Sequence, residues 1–255
     1  MTAIVYIVAG LSSRFEGKIK QFAVVRDNGE TLIEVSLNQA IKAGFDKIVF
    51  IVGKKTEQPF KEKFGDNYKG IPIVYAFQDY DEDIRDKPWG TTDALCAGRE
   101  VINEPFVVCN GDDIYGVEKF RILVEHLKNN NEEATTGTLL DKHLPEKGKN
   151  NRGMFEIENN YVKSIKETFD IERDKLEEMG LKLDDWSSAN IFALHPSVLI
   201  LLDENLKDFK ENHQGDRKAE CLLPDEISKL LQESKIKMKF YESNERESES
   251  AVCEK

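Results

Sequence analysis

Two adjacent carboxylates follow a strongly apolar segment near the middle of the chain. Residues 106–109 read FVVC, and the next four residues read NGDD. Neighbouring carboxylates at the end of a buried strand are costly unless they are solvated or bound to a cation. Because proteins commonly hold Mg2+ with one or two carboxylates and the phosphate oxygens of a substrate, the pattern favours a magnesium site at this pair of aspartates. A helix N-cap at one aspartate, or a simple turn, would use the same residues.

A second group of candidate residues follows the first apolar segment, Ile4–Val8. Residues 9–21 read AGLSSRFEGKIKQ, which combines small residues with one arginine and two lysines. Small residues let backbone N–H groups approach phosphates closely, and nearby cations neutralise them. Arginine offers a planar fork and lysine a compact charge, so an arginine and a lysine of this loop are suited to hold a triphosphate while its charge shifts. The loop matches neither GxGxxG nor GxxxxGKS/T, and a solvated basic turn is the alternative.

Apolar segments in the first half of the chain alternate with helical patterns. The predicted strands are Ile4–Val8, Lys47–Val52, Ile71–Phe77 and Phe106–Cys109, and the predicted helices are Thr31–Ala43, Gln58–Phe64, Thr92–Ile102 and Val117–Asn129. Such alternation predicts parallel strands with right-handed crossovers and helices on both faces. Ligands bind at the carboxyl ends of strands in sheets of this kind, so both candidate segments should lie at one edge of the sheet.

The second half of the chain predicts shorter strands and a hairpin. The predicted strands are Ala134–Leu140, Gly153–Ile157, Val162–Lys166, Ser187–Leu194 and Lys235–Tyr241, the predicted helices are Pro196–Glu211 and Leu222–Glu233, and the charge-dense segment Asp170–Asp185 predicts a short helix and a loop. No repeat and no linker rich in Pro, Gly or Ser divides the chain. The sequence therefore predicts a single-domain, Rossmann-like α/β fold over residues 1–241, with a mixed, mostly parallel sheet flanked by helices. Residues 242–255 predict a polar, frayed tail.

Composition argues against several classes of protein. The chain has 255 residues, a net charge of −12 and a pI of about 5.0. A surface this acidic repels nucleic-acid phosphates, so we expect no nucleic-acid partner. No apolar run approaches the ~18–20 residues that span a bilayer, and the N-terminus lacks the basic region of a signal peptide, so we expect no membrane association. The four cysteines show no metal-ligand spacing, which favours a reducing cytoplasm.

At these two segments the chain resembles the sugar nucleotidyltransferases, also called nucleotide-sugar pyrophosphorylases. The signature of that family reads approximately AGGxGTR followed by PK, and this chain is similar to the bacterial branch that writes it AGxxSR…G..KQ. The resemblance continues in family order to about Tyr241 through Gln78 and the segments 88–94 (PWGTTDA), 106–116 (FVVCNGDDIYG), 153–155 (GMF), 165–167 (IKE), 189–192 (ANIF) and 219–225 (AECLLPD). It implies the nucleotide-diphospho-sugar transferase fold, with residues 1–130 as a nucleotide-binding half and residues 131–241 as a sugar-binding half.

The resemblance also implies a role for each matching position. Arg14 and Lys20 would be catalytic, and Asp112 would hold Mg2+. The nucleotide would be bound by Ala9, Gly10, Leu11, Ser12, Ser13, Gln78, Gly90 and Thr91, and the sugar by Gly153, Glu167 and Asn190. In such a pocket Gln78 could read a pyrimidine edge with both its amide oxygen and its amide nitrogen. Trp89 is expected to pack rather than to stack on a base.

The activity implied is the joining of a nucleoside triphosphate, with UTP or dTTP favoured, to a sugar 1-phosphate. An oxygen of the sugar phosphate attacks the α-phosphorus and pyrophosphate leaves, which needs positioning and charge stabilisation but no general base. Two alternatives stay open: a cytidylyltransferase for an alcohol phosphate such as phosphocholine, and a catalytically impaired nucleotide-binding homologue. A glycosyltransferase of related fold fits less well, because it does not need the Arg14 and Lys20 loop.

The chain departs from the family pattern at three places. Leu11 replaces the second glycine of the signature, and Ala193 stands where relatives often have glycine. The segment after the last predicted strand lacks the Trp-Gly pair that helps relatives position a second metal ligand. Asp225 is a possible substitute for that ligand, although a helix N-terminal cap is the simpler interpretation.

Overall fold

The computed structural model describes residues 1–10 and 19–243. A ten-stranded mixed sheet forms its centre. The strands of the first half are β1 (Ala3–Ile7), β2 (Lys47–Val52), β3 (Asn67–Tyr68), β4 (Ile71–Phe77) and β5 (Phe106–Asn110), and the helices are α1 (Leu32–Ala43), α2 (Glu57–Phe64), α3 (Thr91–Ala97) and α4 (Val117–Asn129). The order β4-β2-β1-β5 is parallel throughout, as the strand–helix alternation predicted.

The second half adds five strands to the same sheet. The strands are β6 (Glu133–Leu139), β7 (Asn150–Glu158), β8 (Tyr161–Ile171), β9 (Trp186–Leu194) and β10 (Met238–Glu242), and the helices are α5 (Leu140–His143), α6 (Pro196–Asn212) and α7 (Leu223–Gln232). Strand β9 lies between β5 and β6 and runs antiparallel to both. The sheet is therefore continuous across residue 130, where the sequence placed the division between two halves.

The expectation of a mostly parallel sheet is not confirmed, because the second half pairs largely antiparallel. Strands β7 and β8 form a hairpin through Asn159 and Asn160, whose φ angles are 52° and 62°. Asparagine tolerates this left-handed conformation better than most residues, which allows a tight turn and adjacent antiparallel strands. Strand β10 is parallel to β6 but antiparallel to β8. A mixed α/β sheet is the correct description.

Several predicted boundaries differ from the structure, and two of them have a clear physical reason. The helix predicted over Thr92–Ile102 ends at Ala97, where Gly98 donates its backbone N–H to the Leu95 carbonyl. A Cβ atom at Gly98 would lie 2.8 Å from side-chain carbons of Ile51 and Ile102, so this turn is packed tightly against the sheet. The polar tail was predicted from residue 242, yet Glu242 ends β10, and the backbone N–H of Ser243 donates to the Gly137 carbonyl at 2.9 Å.

Both faces of the parallel strands are buried, which explains their nearly continuous apolar sequences. Alternate residues point to opposite faces, so Val5 and Ile51 join a core with α3, α6 and α7. Tyr6 and Phe50 join a second core with α1, α2 and α4. Each strand is thereby fixed from two sides, and its carboxyl end is held in place.

Other expectations concern the surface and the thiols. None of the helices in the described ranges is long and apolar enough to cross a membrane. Cys96, Cys109 and Cys221 are free and buried. Burial raises the pKa of Cys96 and Cys221 to about 12, so these thiols stay protonated and unreactive.

An ion pair joins the end of β9 to the start of β6. The ring Nδ1 of His195 lies 3.2 Å from Oε2 of Glu133, and the backbone N–H of His195 donates to the same oxygen at 2.8 Å. The hydrogen bond from the ring raises the pKa of His195 above its ordinary value of 6.5, although burial opposes the shift. The stabilising effect of the His195–Glu133 pair is complete below the pKa that His195 has in the unfolded chain. It is lost as pH rises through the higher pKa of His195 in the folded protein.

We therefore expect the stability difference between the wild type and a His195→Gln variant to shrink as pH rises. Urea unfolding from about pH 6 to about pH 8 measures this difference, because histidine titrates in that range. In a Glu133→Gln background the same substitution should give a difference that no longer shrinks as pH rises, because the partner that raises the pKa of His195 is gone. A pH-independent difference in the wild-type background would show that the pair does not stabilise the fold.

Candidate nucleotide-binding site

Asp112 lies at the carboxyl ends of two adjacent parallel strands. Strand β5 pairs with β1 up to Asn110 opposite Ile7, and the backbone N–H of Gly111 donates to the Ile7 carbonyl at 3.2 Å. A Cβ atom at Gly111 would lie 2.2 Å from Cγ1 of Val8. Only glycine therefore allows the two strand ends to approach this closely, and the next residue, Asp112, is carried to the edge where both strands end.

The structure brings Lys20 and Asp112 together. Lys20 begins a single 3-10 turn, Lys20–Phe22, and its Nζ donates to Oδ2 of Asp112 at 3.0 Å. The two side chains are 17% and 33% exposed, so the pair is partly buried but still reached by solvent. The predicted catalytic lysine and the predicted metal ligand are thus direct neighbours although 92 residues separate them.

The second aspartate of the NGDD segment braces the turn. The side-chain amide of Asn110 donates to Asp113 Oδ2 at 3.2 Å, and the Tyr115 hydroxyl lies 3.5 Å from the same oxygen. The N-cap of α4 is Gly116, so neither aspartate caps that helix. The helix-cap alternative for Asp112 is therefore wrong, whereas the turn interpretation holds for Asp113.

The loop after β1 is described only at its two ends. Ala9 packs against the loop after β2, since a Cβ atom at Gly53 would lie 2.8 Å from the Ala9 carbonyl oxygen. Gly10 is exposed, with open space around its Cα. The other predicted loop residues, Leu11, Ser12, Ser13 and Arg14, lie outside the described residues.

Gln78 follows β4 and is buried. Its Nε2 donates to the Gly90 carbonyl at 3.1 Å and to Asp93 Oδ2 at 2.7 Å. Both amide hydrogens therefore have protein acceptors, and the bidentate reading of a pyrimidine edge is not available in this arrangement. Among the described residues nothing donates to its oxygen Oε1, which stays available as an acceptor.

Gly90 and Thr91 join the first half of the chain to the segment that precedes α7. The backbone of Cys221 lies so close that a Cβ atom at Gly90 would be 2.6 Å from the Cys221 carbonyl oxygen. The φ and ψ angles of Gly90, 98° and −170°, belong to a region that only glycine populates readily. The backbone N–H of Leu223 donates to the Thr91 hydroxyl at 2.8 Å. Both positions thus have a structural role in addition to the predicted nucleotide contact.

The predicted sugar residues Gly153 and Glu167 face each other on the hairpin. They are register partners in β7 and β8, and a Cβ atom at Gly153 would lie 3.2 Å from Oε1 of Glu167. Burial raises the pKa of Glu167 above its ordinary 4.5, and the negative charge of Asp225 raises it further, while Arg152 opposes the shift. Asp225, which the sequence left between a helix cap and a metal ligand, therefore faces this hairpin rather than Asp112.

Asn190 has an unusual backbone for a residue in the middle of a strand. Its φ is 55°, in the left-handed region, and its N–H donates to the Ser188 hydroxyl at 3.0 Å. Its side-chain oxygen Oδ1 is buried without a hydrogen-bond partner among the described residues. Strained backbone and an unsatisfied buried acceptor both cost free energy and are typical of ligand sites. Because β9 runs antiparallel to β5, Asn190 lies towards the carboxyl end of β5, on the Asp112 side.

Sequence reasoning missed Arg85, which fastens the loop after β4. Its buried guanidinium donates to the carbonyls of Lys87, Asp216 and Ala219 at 3.1, 3.0 and 2.6 Å. It also lies 3.3 Å from the ring centroid of Trp89, so Trp89 packs against protein, as predicted. An isolated arginine in a charged loop gives no periodic signal, and only its tertiary contacts reveal the role.

Comparison with known proteins places this geometry in a family. The sequence profile of the nucleotidyl transferase family matches residues 15–240. The chain belongs to the nucleotidyl transferase family. The resemblance to sugar nucleotidyltransferases stated from the motifs is thereby confirmed.

Two curated relatives support the family assignment. The chain is 30% identical to the UTP–glucose-1-phosphate uridylyltransferase AglF of Haloferax volcanii over 117 residues. This aligned segment covers 45% of the chain and 44% of the relative. The chain is also 27% identical over 244 residues to the bifunctional protein GlmU of Staphylococcus saprophyticus, which covers 93% of this chain and 47% of the relative. The chain thus spans less than half the length of these relatives.

A solved structure supports the fold. A protein described as a glucose-1-phosphate thymidylyltransferase from Bacillus anthracis superimposes with a TM-score of 0.66 over 96% of this chain and 87% of its own. At 16% sequence identity the likeness concerns the fold alone.

The close contact between Gly90 and the backbone of Cys221 can be tested by substitution. We expect Gly90→Ala to lower the free energy of unfolding by about 3 kcal/mol, since it combines a glycine-only conformation with a backbone clash. Gly70→Ala is the matched control, because Gly70 has a φ of 90° with nothing near its Cβ position. That variant should lose only about 1 kcal/mol. Equal losses in urea unfolding would show that the contact with Cys221 is not tight.

Proposed function

We propose that this protein transfers a nucleotidyl group from a nucleoside triphosphate to a sugar 1-phosphate and releases pyrophosphate. The observation that carries the proposal is the Lys20–Asp112 pair, held at the carboxyl ends of β1 and β5 in a chain of the nucleotidyl transferase family. Ligands of parallel α/β sheets bind at this edge. The pair places a fixed cation and an acidic group side by side, as a triphosphate and its counter-ion require.

The reaction needs positioning and charge stabilisation more than acid–base chemistry. A phosphate oxygen of the sugar 1-phosphate forms a bond to the α-phosphorus, and the bond from that phosphorus to the bridging oxygen of the β-phosphate breaks. Pyrophosphate leaves with the electron pair, and no proton has to be moved from the nucleophile. Lys20 would stabilise the charge that develops on the phosphates, and Arg14 would share this role.

The residues present suit a magnesium ion held by a single carboxylate. Among the described residues, no group of three or more His, Cys, Asp or Glu side chains could hold a metal. Asp112 is partly exposed, and nothing in the described ranges donates to its Oδ1. Mg2+ is commonly held by one or two carboxylates with substrate phosphates and waters, so Asp112 would be its protein ligand. The ion would supply charge neutralisation on the phosphates.

The favoured donors are UTP and dTTP, and the favoured acceptor is a hexose 1-phosphate. The name of AglF specifies UTP and glucose 1-phosphate, and the Bacillus anthracis protein is described as a thymidylyltransferase. Gly153, Glu167 and Asn190 supply acceptor oxygens and space beside the hairpin, which suits the hydroxyl groups of a sugar. Such substrates and the protonated thiols fit a cytoplasmic enzyme.

We expect Lys20→Ala to lower kcat for pyrophosphate release by roughly a hundredfold or more, because it removes a fixed charge at the reacting phosphates. Release should be followed with Mg2+, each nucleoside triphosphate in turn, and a panel of sugar 1-phosphates with phosphocholine. Lys54→Ala is the matched control, since Lys54 is 71% exposed and pairs with Glu82 on the surface. It should leave the rate unchanged.

Three outcomes would contradict this assignment. Release with CTP and phosphocholine but with no sugar phosphate would show an alcohol-phosphate cytidylyltransferase. Binding of a triphosphate with no release for any acceptor would show a catalytically impaired homologue. Full activity in Lys20→Ala would remove Lys20 from the catalytic site.

Glu167 gives a prediction for the sugar subsite. We expect Glu167→Gln to raise the KM for the sugar 1-phosphate roughly tenfold, since a charged acceptor for sugar hydroxyls is lost. As pH falls through the raised pKa of Glu167, its carboxylate gains a proton and binds hydroxyls less well. The KM ratio between variant and wild type should therefore shrink towards acid pH. Glu156→Gln, on the same hairpin but exposed and bonded to Ser164, should show neither effect.

A further inference from the structure

The orientation of the Gln78 amide is fixed by its neighbours. The Gly90 carbonyl and the Asp93 carboxylate are both acceptors, and Nε2 of Gln78 lies 3.1 and 2.7 Å from them. An amide turned by half a rotation would place its oxygen against two other oxygens, so the network permits one orientation. Gln78 therefore presents Oε1, an acceptor, on its remaining side.

Asp93 can hold this orientation only while it remains an acceptor. Its side chain is 9% exposed, and a buried carboxylate without a partner is costly. Lys210, on α6, lies 2.5 Å from Oδ1 of Asp93, while Gln78 bonds the other oxygen, Oδ2. The two oxygens thus have separate partners, one a cation and the other the amide.

Lys210, Asp93 and Gln78 are linked in that order from the surface to the interior. Lys210 is 37% exposed and borders a surface cavity of about 360 Å³, whereas Gln78 is buried. Lys210 belongs to the second half of the chain, 117 positions from Asp93. The orientation of the Gln78 amide therefore depends on both halves of the chain. An ion pair with a purely structural role would need only Asp93 and Lys210, whereas here Nε2 of Gln78 also donates to the carboxylate.

We propose that the Asp93–Lys210 pair sets the base preference of this protein by holding Gln78 as a hydrogen-bond acceptor. This inference rests on the proposed function. An acceptor at this position favours a base that offers a ring N–H, which uracil and thymine do through N3. Cytosine has an unprotonated N3, an acceptor, which would face Oε1 with repulsion. Asp93 and Lys210 act through Gln78 and are therefore positioning residues.

The test compares the affinities of UTP and CTP rather than either affinity alone. A role in packing would weaken both nucleotides together, whereas a role in orienting Gln78 changes their ratio. In the wild-type protein with Mg2+, titration calorimetry should show UTP bound at least roughly tenfold more tightly than CTP, as one oriented hydrogen bond provides. The ratio of kcat/KM values from pyrophosphate release is the second readout.

Asp93→Asn is the direct variant. Lys210 would retain the oxygen of the new amide, so its NH2 group would face Nε2 of Gln78, and only the Gly90 carbonyl would still favour the original amide orientation. We expect the preference for UTP to fall roughly tenfold, mainly through weaker UTP binding. Lys210→Met should lower the preference in the same direction, and because Lys210 is partly exposed this variant tests the idea even if Asp93→Asn does not fold.

Two controls isolate the effect. Lys207→Met removes a lysine from the same helix one turn earlier, where it pairs with Asp203 at the surface, and should keep the wild-type ratio. Lys210→Arg retains a cation and should restore most of the preference. A ratio that is unchanged in both Asp93→Asn and Lys210→Met would overturn the inference.

The outcomes separate the two proposals. A wild type that releases pyrophosphate but prefers CTP to UTP would overturn the acceptor role of Gln78 and leave the transferase function standing. A wild type that binds neither nucleotide and releases no pyrophosphate would overturn both.

Discussion

The adjacency of β1 and β5 is the constraint on which the site depends. Lys20 follows the first strand and Asp112 follows the fifth, and they meet only because these strands are parallel neighbours that end at one edge. Gly111 makes the meeting possible, since any side chain there would collide with Val8. The protein has a net charge of −12. A partly buried lysine at a fixed place attracts a phosphate more strongly than surface lysines do, because water screens the charges at the surface.

The loop that carries Gly90 and the hairpin that carries Glu167 share one helix. The N-terminal residue of α7, Leu223, donates its N–H to the Thr91 hydroxyl, and further along the same helix the Ser228 hydroxyl accepts the N–H of Ile165 on β8. Glu167 lies two residues beyond Ile165 on that strand. Helix α7 therefore ties the loop that carries Gly90 to the hairpin that carries Glu167, and a shift of either would move the other.

The sequence predicted the elements whose signals are local. Buried parallel strands give continuous apolar runs, and NGDD after such a run predicted the place of Asp112. The antiparallel insertion of β9, the left-handed Asn190 and the two partners of Gln78 depend on residues far away in the chain, so no local pattern reported them. The same reason hid Arg85 and Lys210. The motifs thus predicted that the segments carrying Lys20 and Asp112 end at one edge of the sheet, whereas the hydrogen bonding around them had to come from the structure.

Most carboxylates near the Lys20–Asp112 pair already have partners in the protein. Their negative charge is offset, which would let an acidic protein bind phosphates there. Asp112 pairs with Lys20, Asp113 accepts from Asn110 in its turn, and Asp93 is held between Lys210 and Gln78. Glu167, by contrast, has no hydrogen-bonding or cationic partner within bonding distance among the described residues, and it lies on the hairpin where sugar hydroxyls, rather than phosphates, would need acceptors. For the proposed reaction, negative charge would be compensated near the triphosphate and left available near the sugar. Charge distribution, and not net charge, would then decide which substrate each part of the site accepts.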